Sequence, residues 1–192
     1  TSNKIFIAST TEPRNSNMTS PAISQLEYSL LAIPTLDVLL RVTSAGKVAD
    51  AKQIVRICAD NPLVGPDEID RLVNFYSVGN CDYAWNDQPR EGGNYPDGFG
   101  AEILSMRLLS DLSELSTTIE HREHVTAYLW DNRDTFRLCP VLVPKPLAYP
   151  SLSFEIDEPS DLTKLDNLLR SASLDPSEPA VNFVQVALSQ IP

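Results

Sequence analysis

The chain has 192 residues, of which 42% are hydrophobic, and this is enough for one globular domain with a sizeable core. Its formal net charge of −11 argues against the basic surface with which proteins bind nucleic acids. No apolar run approaches the roughly 20 residues of a membrane-spanning helix, and the start of the chain lacks the apolar core of a signal peptide. We therefore expect a single cytoplasmic domain over residues 1–192, without nucleic-acid or membrane partners.

The first half of the chain predicts short strands that alternate with helices. Residues 14–24 are polar and predict a loop. Proline at the first helical position and acids in the first turn favour a helix that begins at Pro66. The predicted elements are strands at Lys4–Ala8 and Gln53–Cys58, and helices at Leu36–Val42 and Pro66–Ser77.

The second half continues the alternation after a loop rich in glycine and proline at Gln88–Gly100. Ser160 is a predicted helix N-cap. The elements are strands at Cys81–Trp85, Phe136–Val143 and Ser151–Ile156, and helices at Glu102–Leu112, Glu120–Arg133, Ser160–Leu169 and Ala180–Ser189. This alternation predicts an α/β sandwich with a mainly parallel sheet.

Three cysteines, Cys58, Cys81 and Cys139, lie far apart in the sequence. Their number is odd, and two of them fall in apolar runs that predict strands. Such cysteines favour buried reduced thiols in a cytoplasmic protein.

Two acidic strand ends lie about half the chain apart. Asp60 and Asp157 each follow a short apolar run and are soon followed by proline. Ligands of open α/β sheets bind beyond the carboxyl ends of strands, and Mg²⁺ prefers one or two carboxylates together with phosphate and water oxygens. Glu155 has the same strand face as Asp157. The alternatives are aspartates that stabilise their own turns and a solvated glutamate.

His121 and His124 have i, i+3 spacing on a predicted helix, with Arg122 between them. Zinc sites on helices commonly use i, i+4 histidines instead, so this pattern indicates a polar helix end that contacts an anionic ligand. The loop at Gln88–Gly100 matches neither the P-loop nor the dinucleotide-binding glycine pattern.

Several short motifs follow one another along the chain: Arg56–Leu63, Asp82-Tyr83 with Asn86, Pro96-Asp97-Gly98 with Glu102, Arg122–Thr126 and Ile156–Leu162. In this order they resemble the spore coat polysaccharide biosynthesis protein F-like cytidylyltransferases, which are related to the acylneuraminate and 3-deoxy-manno-octulosonate cytidylyltransferases. The similarity covers nearly the whole chain and includes Ile5–Thr10 and the helix start at Asp37.

The resemblance implies a three-layer α/β sandwich with a mainly parallel mixed sheet, of the nucleotide-diphospho-sugar transferase type (GT-A-like, Rossmann-like). The implied reaction joins CMP from CTP to a sugar acid and releases pyrophosphate, with Mg²⁺, in a homodimer that serves surface polysaccharide synthesis. Asp60 and Asp157 look like the family's metal ligands and catalytic residues, with Glu155 as a further ligand. The residues expected to bind substrates are Arg56, Asn86, Asp97, Arg122 and His124.

The family opens with a strand and a basic loop that holds the CTP phosphates, and neither is found before Lys4. We expect either a truncated part of a longer protein or a shortened, non-catalytic relative that acts in binding or oligomerisation. A GT-A-like glycosyltransferase is a third reading. It would be expected to carry an Asp-x-Asp motif, to which Glu155-Ile156-Asp157 is the nearest approach.

Overall fold

A computed structural model describes residues 4–11, 28–33, 37–86 and 94–191. The chain forms two compact units: unit 1 comprises Thr1–Ile54 and Ser105–Thr135, and unit 2 comprises Val55–Leu104 and Phe136–Pro192. The loop predicted at residues 14–24 lies outside the described residues. The assignment of one domain to residues 1–192 stays a prediction.

Strands and helices are interspersed along the described residues, although several consecutive elements are of the same type. The strands are β1 (Phe6–Ser9), β2 (Ser29–Ala32), β3 (Gln53–Ile57), β4 (Tyr83–Trp85), β5 (Ala101–Ser105) and β6 (Leu138–Pro140). The helices are α1 (Val38–Val48), α2 (Pro66–Val78), α3 (Met106–Leu115), α4 (Ile119–Glu123), α5 (Ala127–Asp131), α6 (Pro159–Ala172) and α7 (Ala180–Ser189), with a 3₁₀ turn at Lys145–Leu147. None of the helices in these described ranges is long and apolar enough to cross a membrane.

Unit 1 combines a parallel pair of strands, β1 and β2, with helices that pack on α1. Asp37 caps α1, because its Oδ1 accepts a hydrogen bond of 2.8 Å from the Leu40 amide. Leu39 on α1 and Leu109 and Leu112 on α3 are fully buried. Since residues three apart share a helix face, the two leucines of α3 form the apolar side of that helix.

Unit 2 is built on a sheet with the strand order β3-β5-β4-β6, in which β4 runs antiparallel to β5 and parallel to β6. The sheet is therefore mixed. One apolar cluster surrounds Leu72 of α2, Ala84 of β4 and Ile103 of β5. A second surrounds Phe99, Phe154 and the helices α6 and α7.

The helix predicted at Glu102–Leu112 begins too early, because residues 101–105 form the strand β5. The Glu102 carboxylate accepts hydrogen bonds of 2.6 Å from both Arg56 and the Tyr83 hydroxyl. These contacts with β3 and β4 fix Glu102 within the sheet. Helix α3 starts only after Ser105, whose hydroxyl accepts from the Leu108 amide.

The helix predicted at Glu120–Arg133 is two short helices, α4 and α5. His124 ends α4 with extended backbone angles (φ −100°, ψ 93°), and the β-branched Val125 and Thr126 that follow are buried. His121 and His124 therefore do not share a helix face. Instead, Nε2 of His121 lies 2.7 Å from Asp131.

Two further boundaries near Asp157 differ from the prediction. The segment Ser151–Ile156 is not a regular strand, and its one β-bridge within the described residues pairs Ser153 with Asp97. Helix α6 is capped by Glu158 rather than Ser160, because Pro159 already occupies the first helical position. The Glu158 amide donates to Asp161.

The prediction of three reduced thiols is wrong for Cys81 and Cys139, which form a disulfide. Cys139 lies in β6, and Cys81 lies two residues before β4, the strand that pairs with β6, so that their Cα atoms are 6.0 Å apart. Sequence spacing alone does not disclose this pairing, since 58 positions separate them. The cysteine content no longer supports a cytoplasmic location, which stays a prediction.

Replacing Cys81 and Cys139 together with serine is expected to lower the free energy of unfolding by about 2–4 kcal/mol, because the bond closes a long loop in the unfolded chain. Urea unfolding of the oxidised wild type and the double variant measures the difference. A Cys58→Ser variant, which leaves the disulfide intact, is the control. Equal midpoints for the oxidised wild type and the double variant would contradict the expectation.

Candidate functional site

Four carboxylates of unit 2 come together around the chain segment 154–157. The Ile156 amide donates to the Asp60 carbonyl at 2.9 Å, and the Phe154 amide donates to the Asp97 carbonyl at 2.8 Å. This pairing places Glu155 between the two aspartates. Its carboxyl group is hydrogen-bonded to the side chains of both Asp97 and Asp157, and Asp60 also interacts with it electrostatically.

A turn after β3 positions Asp60. The Asn61 amide donates to the Cys58 carbonyl at 3.2 Å, and the Asn61 side chain donates to the Gly100 carbonyl at 3.3 Å. Leu63 follows in the second apolar cluster and anchors the turn from its other end. Asp60 is thus held at the carboxyl end of β3, the edge from which the sequence predicted that it would act.

A tight turn at Gly98 positions Asp97. Gly98 has a φ of +88°, and a Cβ atom there would lie 2.4 Å from the backbone of Phe154 and Glu155. Only glycine permits this approach together with this φ. The contact is extended by Phe99, whose ring stacks on that of Phe154 with centroids 4.6 Å apart.

The cluster perturbs its own ionisation. Burial, followed by the charges of Asp97 and Asp157, raises the pKa of Glu155 to about 7. Burial also raises the pKa of Asp97, with additional contributions from the charges of Asp157 and Asp60. Carboxylates this close cannot all be ionised without a proton or a cation between them, so the site favours a positively charged ligand.

The donor set suits Mg²⁺, which takes oxygen ligands from carboxylates. Oδ1 of Asp60 is buried and has no hydrogen-bond partner, as expected of an oxygen that a ligand would satisfy. Within the described ranges, no group of three or more His, Cys, Asp and Glu side chains is already arranged to hold a metal ion. The carboxyl groups instead hydrogen-bond to one another, so a cation would have to replace those hydrogen bonds.

The raised pKa of Glu155 predicts a dependence of stability on pH. A folded-state pKa of about 7, above the ordinary value of 4.5, adds stability that is complete below about pH 4.5 and lost as the pH rises through 7. In EDTA, the melting temperature is therefore expected to fall between about pH 5 and about pH 8. Added Mg²⁺ should reduce this fall, because it favours the ionised carboxylates.

Thermal unfolding at several pH values, with EDTA or Mg²⁺, measures both effects. The Glu155→Gln variant carries no titrating group at this position and should show a smaller fall in EDTA. The same dependence on pH in the wild type and Glu155→Gln would refute this origin.

Two of the predicted substrate-binding residues are engaged inside unit 2. Arg56 forms an ion pair of 2.6 Å with Glu102. Asn86 is fully buried, and its side chain donates to the Glu68 carbonyl at 3.1 Å and accepts from the Ala101 amide at 3.0 Å. Both residues thus hold backbone and neighbouring side chains in place.

Arg122 and His124 belong to unit 1. The Arg122 guanidinium pairs with Asp37 at 2.6 Å and donates to the Ser113 carbonyl at 2.7 Å. The His124 amide donates to the Glu120 carbonyl at the end of α4. The pairing with Asp37 links the N-cap of α1 to helix α4. The role of Arg122 and His124 in binding substrate stays a prediction.

Sequence reasoning missed a buried polar network formed by Glu68, Arg71 and Tyr95. Glu68 had the pattern of an acid in the first turn of a helix and therefore predicted only a helix start. Glu68 is nevertheless only 3% exposed, and its carboxylate contacts Arg71 and the Tyr95 hydroxyl. Tyr95 directly precedes the turn motif Pro96-Asp97-Gly98, and nothing in the local sequence indicates its contact with Glu68.

No protein-family model matches the chain. Over 156 residues it is 27% identical to an uncharacterised protein of Methanocaldococcus jannaschii, an alignment that covers 81% of this chain and 62% of that protein. Over 150 residues it is 25% identical to the spore coat polysaccharide biosynthesis protein SpsF of Bacillus subtilis, covering 78% and 59%. The chain therefore spans about three fifths of the length of these curated relatives.

The fold is similar to that of a cytidylyltransferase from Leptospira borgpetersenii, with a TM-score of 0.84. The superposition covers 96% of this chain and 75% of that structure, at 22% sequence identity. The prediction of an α/β fold with a mixed sheet, of the cytidylyltransferase type, is confirmed.

Proposed function

We propose that this chain, a member of the cytidylyltransferase family related to SpsF, transfers CMP from CTP to a hydroxyl group of a sugar acid and releases pyrophosphate. The observation that carries the proposal is the meeting of Asp60, Asp97, Glu155 and Asp157 around segment 154–157. A cytidylyltransferase fold alone would not indicate that this chain retains a site. An acidic cluster beyond a strand end is what a Mg²⁺–nucleotide complex requires.

Asp60 and Asp157 are the proposed ligands of Mg²⁺, with Glu155 as a further ligand. Asp60 contributes the buried Oδ1 that lacks a hydrogen bond. Glu155 is already hydrogen-bonded to Asp157, so both carboxyl groups are close enough to bind one ion in place of that hydrogen bond. When bound, Mg²⁺ would neutralise charge on the phosphates and lower the pKa of the attacking hydroxyl.

In the proposed reaction the sugar hydroxyl oxygen bonds to the α-phosphorus of CTP while the bond from that phosphorus to the bridging oxygen breaks. The hydroxyl proton is released, and pyrophosphate leaves with the bond electrons. Such transfers depend chiefly on positioning and on charge stabilisation. The carboxylates of this chain therefore need only hold the reactants in line and stabilise the charge that develops.

The remaining predicted residues keep roles of different kinds in the proposal. Asp97, Arg122 and His124 are proposed contacts to the substrates, the latter two to the carboxylate of the sugar acid. Arg56 and Asn86 support the site through Glu102 and through the backbone of Glu68 and Ala101. Assembly as a homodimer and a role in surface polysaccharide synthesis are further parts of the proposal.

Pyrophosphate release from CTP, measured with Mg²⁺ across a panel of nonulosonates and neutral sugars, tests the proposal. We expect release with CTP and at least one acidic sugar, and none with ATP, GTP or UTP. Calorimetry with CTP and Mg²⁺ provides the parallel binding measurement. The absence of both activity and binding would favour a non-catalytic protein.

A further inference from the structure

A buried polar network in unit 2 joins helix α2 to the loop that carries Asp97. Tyr95 is fully buried, and its hydroxyl donates to Oε2 of Glu68 at 3.0 Å. The Arg71 guanidinium hydrogen-bonds to both groups and lies 5.4 Å from the centroid of the Tyr95 ring. A second guanidinium nitrogen donates to the Leu142 carbonyl at 2.8 Å. The Glu68 carboxylate, the Arg71 guanidinium and the Tyr95 hydroxyl therefore each have a partner.

The same turn of α2 holds the far end of the loop. Asn86 donates to the Glu68 carbonyl and accepts from the Ala101 amide. Tyr95 before Asp97 and Ala101 after it are thus both connected to Glu68. The Tyr95 hydroxyl bonds to the Glu68 carboxylate, and the Ala101 amide reaches the Glu68 carbonyl through the Asn86 side chain. The residues between them, including Asp97 and Gly98, are fixed at both ends.

The fixed loop sets the position of Asp97 against segment 154–157. Asp97 lies two residues after Tyr95, and the intervening Pro96 restricts the backbone. The Asp97 amide donates to the Leu152 carbonyl at 2.9 Å, and its carbonyl accepts from the Phe154 amide at 2.8 Å. A shift at Tyr95 would therefore be transmitted to Glu155 and the cluster around it.

Stability alone does not account for the network. Burial raises the pKa of Glu68, and the charge of Arg71 only partly offsets this. Well-packed apolar residues often replace buried ion pairs without loss of stability. A phenylalanine at position 95 would pack equally well in the apolar cluster that surrounds the Tyr95 ring. We therefore interpret the hydroxyl and its hydrogen bonds as groups that fix the position of the loop.

We propose that Glu68, Arg71 and Tyr95 are positioning residues of the carboxylate site, which hold the loop of Asp97 in register with Glu155. The proposal rests on the proposed function for its link to Mg²⁺, but its structural step is independent of catalysis. The positioning residues contact the carboxylate cluster only through the loop backbone. They correspond to the outer partners that orient metal ligands in other proteins.

The Tyr95→Phe variant tests the proposal, because it removes one hydroxyl and keeps the ring. Amide hydrogen exchange at Asp97 and Phe154 should accelerate by about tenfold or more, with helix α7 unchanged. The Mg²⁺ concentration for half-maximal pyrophosphate release should rise by about tenfold. Glu68→Gln keeps an oxygen acceptor for the Tyr95 hydroxyl. Its amide exchange rates and its Mg²⁺ requirement should therefore lie between those of the wild type and those of Tyr95→Phe.

Tyr76→Phe is the matched control. It also removes one tyrosine hydroxyl, but Tyr76 lies on α2 and its hydroxyl donates to the Asp82 carbonyl. It should leave exchange at Asp97 and Phe154 unchanged. Unchanged exchange at these amides in Tyr95→Phe would overturn the positioning role. A lower melting temperature with an unchanged Mg²⁺ requirement would also overturn it, as a purely structural effect. If the wild type releases no pyrophosphate, the proposed function fails, while the exchange measurement still decides the positioning role.

Discussion

Gly98→Ala is expected to destabilise unit 2 by at least about 2 kcal/mol and to disperse the carboxylate cluster. The Cβ would lie 2.4 Å from two backbone atoms, and the φ of +88° is unfavourable for alanine. Because the obstructing atoms are backbone atoms of Phe154 and Glu155, no side-chain rotation can relieve the contact. Urea unfolding measures the loss of stability, and Mg²⁺-dependent stabilisation reports the loss of the site.

Gly65→Ala is the matched control in the same unit. Gly65 has an ordinary φ of −71°, and the nearest atom to an added Cβ is the flexible end of the Asp67 side chain. We expect this variant to lose less than about 1 kcal/mol and to keep its response to Mg²⁺. Comparable losses in the two variants would mean that the close approach at Gly98 does not determine the fold of the site.

Asp60→Asn is expected to reduce Mg²⁺-dependent pyrophosphate release by about 100-fold or more, since groups that stabilise the charge of a transition state commonly contribute this much. Without a cation, the same variant should be at least as stable as the wild type, because it removes one of several mutually repelling carboxylates. Loss of activity without loss of stability is the expected signature. Pyrophosphate release and thermal unfolding in EDTA measure the two effects.

Asp166→Asn removes the same charge from an exposed position on α6, where Asp166 pairs with Arg170. Exposed pairs of this kind contribute little, so activity and the effect of Mg²⁺ should match the wild type. Full activity of Asp60→Asn would refute its role as a metal ligand. A loss of activity that accompanies unfolding would show that Asp60 serves the fold rather than the reaction.

The sequence predicted those elements whose ends carry local signals. Helix α2 starts at Pro66 as expected, because proline and the two acids after it define a first turn. Helix α7 has the predicted bounds. Strand β5 was missed because its five residues continue directly into α3, and its place in the sheet depends on contacts of Glu102 with residues 19 and 46 positions away. Short windows of sequence contain no trace of such contacts.

The carboxylate cluster was predicted in part. Asp60 and Asp157 could be selected because they follow apolar runs, and Glu155 because it precedes Asp157 by two residues on a predicted strand. Asp97 was expected only to bind substrate. Its contact with Glu155 arises from the close approach at Gly98, which depends on tertiary packing. The network of Glu68, Arg71 and Tyr95 was beyond prediction for the same reason, since a buried glutamate is recognised only once its partners are placed.

The disulfide has a consequence for how unit 2 responds to cleavage of the chain. This unit is made from two separate stretches, and Cys81 belongs to the first whereas Cys139 belongs to the second. A protease that cuts between residues 106 and 135 would leave both stretches covalently joined. Such nicked protein would migrate as one species on a non-reducing gel and separate into two fragments after reduction. An intact band is therefore no evidence of an intact backbone in this protein.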